Sequence, residues 1–178
     1  MKRTILLAAL ATLTVAFALP VHAEKTVGNV VDDSTVNATI KAALLDNKST
    51  HSTQINVETY KGVVQLSGFV ATQAEKDAAG KVAQGVSGVK ELHNSIAVHD
   101  ATSMGTKLDD SMLTGKVKAA LIDADKVKSG QINVESKGGI VQLSGFVTGQ
   151  GMKDRAGQVA AGVSGVKRVD NVLIVKPQ

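Results

Sequence analysis

Hydrophobic positions along the chain change their spacing in a fixed order. In "DDSTVNATIKAALLD", Val36, Ile40, Ala43 and Leu44 fall on one helical face, with Asp33 or Ser34 placed to act as N-cap. "QINVE" then alternates, with Ile55 and Val57 on one side and Asn56 and Glu58 on the other. That is the period of a strand with one buried face. A turn at "TYKG" leads into "GVVQLSGFV", so the two runs predict a β-hairpin. Thr72 and Glu75 form a capping box that opens a second helix, which buries Ala79, Val82, Ala83 and Val86. The glycines of "GVSGVK" close that helix, and a last strand carries Leu92, Asn94, Ile96 and Val98 on one side. The predicted order is αββαβ.

The same series returns 77 positions later. Asp32–Val98 aligns with Asp109–Val175 without a gap, with 37 identities over 67 positions. Leu113, Val117, Ala120 and Leu121 repeat the first helical face, and "SKGG" repeats the turn. Gly149 and Met152 replace the capping-box residues, so the fourth helix is expected to start less firmly. The fold class is therefore α+β: two tandem αββαβ domains, each a small three-stranded mixed sheet with two helices on one face. The expected boundaries are residues 32–98 and 109–175, with a polar linker at 99–108. Residues 24–31 and 176–178 read as tails.

Alternation divides the strand at Val63–Val70 into two faces. Val64, Leu66, Gly68 and Val70 are assigned to the helices, and Val63, Gln65, Ser67 and Phe69 to the far side. Gly68 and Gly145 are expected where a helix approaches the sheet closely. A lone Ser-Gly inside a strand is not a phosphate-binding loop. With both helices on one side, Phe69, Phe146 and Val63 are left on an uncovered face and are the interface candidates. The other copy is the expected cover, with lipid or a client protein as the alternatives. The chain is expected to be a monomer with its domains packed or loosely linked.

The N-terminus reads as an export signal. Lys2 and Arg3 precede an uncharged apolar run from Ile5 to Leu19, Pro20 breaks it, and Val21 and Ala23 supply small residues before a cleavage point. Cleavage between Ala23 and Glu24 leaves 155 residues and lowers the net charge from +4 to +2. So mild a charge gives no footprint for nucleic acid. The chain has no cysteine, so its core must hold it without disulfides and no lipid anchor is expected. A soluble periplasmic protein is the expected product.

The doubled αββαβ unit behind a signal segment, with "VVQLSGFV" and "GVSGVKELHNSIAV", resembles the BON domain family. The matching pieces are the strands Val64–Val70 and Val141–Val147, the turns Gly85–Val89 and Gly162–Val166, and Asn94 and Asn171. The resemblance implies attachment to phospholipid or envelope surfaces and a role in osmotic stress, with no catalytic residues to carry over.

The remaining residues are consistent with that implication. His51, His93 and His99 have Lys128, Asp170 and Lys176 in the other copy, and their placement does not converge on a metal. Asp32 and Asp33 fall far short of a calcium cage. No active site, metal or cofactor is expected. Residues 24–98 carry a net charge of −1 and residues 109–178 a net charge of +3. The excess falls at Lys116, Lys118, Lys126, Lys128 and Lys137, which are the lipid-contact candidates. The resulting expectation is a non-enzymatic envelope stress protein partnered by phospholipid or envelope proteins; the alternative is a chaperone-like client binder. Mass spectrometry of the exported protein should find Glu24 as its first residue, and a retained Met1 would overturn the cleavage site.

Overall fold

A computed structural model describes residues 32–50, 54–99 and 107–176. The expected signal with its Ala23–Glu24 junction, the tail at 24–31, linker residues 100–106, His51 and residues 177–178 lie outside the described residues. The first copy runs α1 (Asp33–Asp46), β1 (Ile55–Tyr60), β2 (Val63–Val70), α2 (Gln73–Gln84), β3 (Glu91–Asn94) and β4 (Ala97–Val98). The second runs α3 (Lys107–Asp123), a 3-10 turn (Ser129–Gln131), β5 (Asn133–Lys137), β6 (Ile140–Ser144), β7 (Phe146–Val147), α4 (Gln150–Ala161), β8 (Arg168–Asn171) and β9 (Ile174–Val175). In each copy the middle strand pairs antiparallel with the strand before it and parallel with the strand after it. The last strand is broken in two, β3 then β4 and β8 then β9, and each piece continues the parallel pairing.

Each sheet buries one face under its own helices. Val36, Ile40 and Leu44 of α1 and Ala79 and Ala83 of α2 share a core with Val57, Val64, Leu66, Val70 and Ile96. The second copy repeats it with Leu113, Val117, Leu121, Ala156, Ala160, Val141 and Leu143. The hairpin turns are two residues long and left-handed at both, Lys61–Gly62 and Gly138–Gly139, the backbone twist that suits flanking strands. Thr72 and Glu75 make the full capping box on α2, whereas α4 starts at Gly149 without a side-chain cap.

Two local expectations are corrected. The N-cap of α1 is Asp32, not Asp33 or Ser34. The Asp33 carboxylate instead accepts the backbone N–H groups of Lys61 and Gly62 at 2.6 and 2.8 Å, so it pins the hairpin turn. Gly68 does not mark a close helix approach. Its φ is +111°, and a Cβ there would lie 2.1 Å from the Gln54 carbonyl oxygen, so it is a kink in β2 against the start of the neighbouring strand. The close helix approach falls at Gly80, where a Cβ would lie 2.8 Å from Asn94 Nδ2. Asn94 there donates to the Lys76 carbonyl at 2.8 Å, and Asn171 repeats the bond to Lys153.

The far faces of the two sheets pack on each other around a pseudo-twofold axis. Ser67 Oγ and Ser144 Oγ meet at 2.8 Å on that axis. Gln65 donates to the Val172 carbonyl at 2.6 Å and accepts from Gly145 N–H at 2.7 Å. Gln142 does the same in reverse, donating to the Ser95 carbonyl at 2.9 Å and accepting from Gly68 N–H at 2.5 Å. Further out, Asn56 donates to Glu135 and Asn133 to Glu58.

Leu66→Ala and Leu143→Ala should each lower the unfolding free energy by about 2–5 kcal/mol in denaturant titrations. A change under about half a kcal/mol at both would reverse the face assignment. Gln65→Ala should cost about 1–3 kcal/mol by leaving the Gly145 N–H and Val172 carbonyl unpaired, and amide exchange at Gly145 should accelerate. Unchanged exchange at Gly145 would mean that the two faces are apart in solution.

Candidate functional site

The symmetry of the seam fails at its rim, and the failure is chemical. Phe69 and Phe146 are both buried, and Val63 is half-buried. On one side the Tyr60 ring lies 5.7 Å from the Phe146 ring, and Lys176 Nζ sits 4.9 Å over Tyr60. On the other side Lys137 takes the position of Tyr60, and His99 meets Phe69 edge-on at 6.2 Å. A cavity of about 350 Å³ remains there, bounded by Gln54 and Phe69 of the first copy and by Asp110, Glu135, Ser136 and Lys137 of the second.

The five candidate lysines are brought to different surfaces. Lys118 borders an apolar hollow with Leu121, Ile122, Ile132 and Val134. Lys126 and Lys128 stand exposed on the turn that follows α3, with Lys126 in a left-handed conformation at φ +65°. Lys116 belongs to the opposite flank of α3, beside Gly138, Gly139 and Lys167, as its two-residue offset from Lys118 requires on a helix. Lys137 lines the rim cavity.

Pattern reading missed two features. Gln65, Ser67, Gln142 and Ser144 are buried polar residues at the centre of the seam. Their signal was present as identical polar residues at alternate positions of both middle strands. Leu45 and Ile122 occupy the same position in the two copies and are 69% and 67% exposed. Each follows a buried leucine directly, so it departs from the amphipathic period, and that departure was the available sign.

The histidines stand apart. His93 Nε2 lies 3.0 Å from Glu91 Oε1 at the surface, and His99 packs on Phe69. Among the described residues, no group of three or more His, Cys, Asp or Glu is arranged to hold a metal ion. No described helix is long and apolar enough to cross a membrane.

Comparison with known proteins follows the internal repeat. The chain is 45% identical over 152 residues to osmotically-inducible protein Y of Escherichia coli K12, covering 84% of this chain and 76% of that protein. It is 34% identical over 150 residues to the outer membrane lipoprotein DolP of Haemophilus influenzae, covering 84% of this chain and 77% of that protein. Among solved structures it matches CdsD, a structural protein of the type III secretion system of Chlamydia trachomatis, at 16% identity and a TM-score of 0.34. That match spans 83% of this chain and 65% of the other. The BON domain model matches twice, at residues 32–100 and 109–177. The chain therefore belongs to the BON domain family, with two domains of that family in tandem.

Proposed function

We propose that this chain is a peripheral protein of the bacterial envelope that meets anionic phospholipid through the end of α3 in its second domain. The observation that carries the reading is the exposed Ile122. It stands over the hollow formed with Leu121, Ile132 and Val134, with Lys118 on its border and Lys126 and Lys128 on the next turn. Each lysine near an anionic leaflet contributes about 1 kcal/mol, and a partly inserted aliphatic side chain adds a similar amount. Together these support weak, reversible, salt-sensitive attachment. The proposed contact uses Lys118, Lys126 and Lys128, whereas Lys116 and Lys137 line other hollows.

The relatives give this reading its setting: one is named as osmotically inducible and one as an outer membrane lipoprotein. The export signal read in the sequence supports a periplasmic location, and the name of the first relative supports a role under osmotic stress. The client-binding alternative relied on open sheet faces, and in this fold those faces cover each other.

Vesicle co-sedimentation tests the proposal. The full chain should bind vesicles rich in phosphatidylglycerol, and raising salt from low to high ionic strength should weaken binding at least tenfold. Replacing Lys118, Lys126 and Lys128 together with Gln should reproduce that loss at low salt, whereas replacing Lys116 and Lys137 should leave binding near wild type. Lys116, Lys118, Lys126 and Lys128 are exposed, so replacing them should barely move unfolding midpoints. Equal losses from the two sets would replace the local contact with a diffuse charge effect, and no binding at low salt would end the lipid reading.

A further inference from the structure

The polar bonds of the seam are made by residues that both copies share. Gln65 and Gln142, Ser67 and Ser144, and Gly68 and Gly145 occupy matching positions, and so do Asn56 and Asn133, and Glu58 and Glu135. Each of the bonds described across the seam joins members of these pairs to one another or to a backbone carbonyl. They fix the register of the two faces but do not distinguish one domain from the other. Either face could satisfy the same donors and acceptors on a second copy of itself. Gln65, Ser67, Gln142 and Ser144 are at most 2% exposed, so a domain parted from its partner bares polar groups that need new partners.

The rims do distinguish the domains. Tyr60 of the first domain corresponds to Lys137 of the second, and His99 corresponds to Lys176. In the seam as it stands, Lys176 Nζ lies 4.9 Å over the Tyr60 ring, and that ring lies 5.7 Å from the Phe146 ring. Twofold pairing of two second domains would instead set Lys176 of each copy over Lys137 of the other, at both rims. A cation over an aromatic face is attracted, whereas a cation against a cation is repelled. The second domain therefore accepts the first domain and rejects itself. Repulsion built against the wrong partner is what separates faces that otherwise match.

Nothing in this selection requires both faces to belong to one chain. Residues 99–108 join the domains, and a tether of this length holds the two faces at an effective concentration of about 1 mM. We propose that near that concentration the chain exchanges seams with a second copy of itself, with Tyr60 and Lys137 directing the pairing. The first domain of each chain takes the second domain of the other, which gives a closed twofold dimer. Both of its seams keep every contact of the seam within one chain. Each rim cavity is then walled by Gln54 and Phe69 of one chain and by Asp110, Glu135 and Lys137 of the other. The proposal goes beyond the lipid reading and uses none of its lysines.

The chain has no cysteine, so introduced thiols report on the seam alone. Ser67→Cys and Ser144→Cys place thiols where two hydroxyls stand 2.8 Å apart, and the double variant should close a disulfide within one chain. Full chains carrying Ser67→Cys and full chains carrying Ser144→Cys are mixed in denaturant, refolded together, oxidised and read on a non-reducing gel. The mixture should give interchain disulfides when refolded at about 1 mM and almost none at about 1 µM. Ser144→Cys alone should give about tenfold less than the mixture, because its thiol meets its own copy only across the repelled seam. Adding Lys137→Tyr to Ser144→Cys, which gives the second domain the rim residue of the first, should restore about tenfold. The proposal fails if the mixture forms no interchain disulfide under conditions that close the bond in the double variant. It fails equally if Ser144→Cys alone matches the mixture, or if Lys137→Tyr leaves its yield unchanged.

Discussion

Everything in this fold depends on a pair of glutamines that complete each other's broken sheet. In each copy the last strand is interrupted and the middle strand kinks at a glycine, so that one backbone N–H and one carbonyl are turned out of the ladder at the same place. Buried backbone groups need partners. The partners here come from the opposite copy: Gln65 serves Gly145 and Val172, and Gln142 serves Gly68 and Ser95. Neither sheet can be left alone without exposing or orphaning these groups. The pairing is isologous, the same patch meeting itself about a twofold axis, although both patches belong to one chain.

That constraint explains how so small a unit dispenses with disulfides. A domain of about 67 residues buries too little surface to be secure by itself, and small exported domains commonly rely on cross-links. This chain has no cysteine. Packing the two sheets together instead covers the face that each domain leaves open and adds a directional polar network to two separate apolar cores. Hydrogen bonds satisfied on both sides specify one register, because a slip along the strand would unpair both glutamines at once.

Function is best sought where the two copies differ, because shared residues are accounted for by shared scaffold. Lys137 in place of Tyr60 leaves the rim cavity open, and the charge surplus of the second copy follows the end of α3. The first domain walls one side of that cavity with Gln54 and Phe69.

The sequence by itself determined the αββαβ order, the duplication and the burial faces of the hairpin strands, because these rest on periodicities of two and 3.6 residues that local pattern expresses directly; the last strand is interrupted after Asn94 and leaves Val98 exposed, which alternation alone did not express. It determined the capping box on α2, and it marked Phe69 and Phe146 as residues in need of cover. Tertiary structure alone decided what Gly68 is for, since a kink and a helix crossing both call for glycine and only the position of Gln54 distinguishes them. It also decided that Asp33 serves a turn 28 residues away, because a carboxylate at a helix start suits a cap and a distant backbone equally well. Five lysines close in sequence were parted among three flanks because helical rotation and a hairpin turn carry neighbours to opposite sides. The glutamine seam was decided last of all: it depends on which backbone groups the neighbouring strands leave unpaired, and that is known only once the strands are assembled.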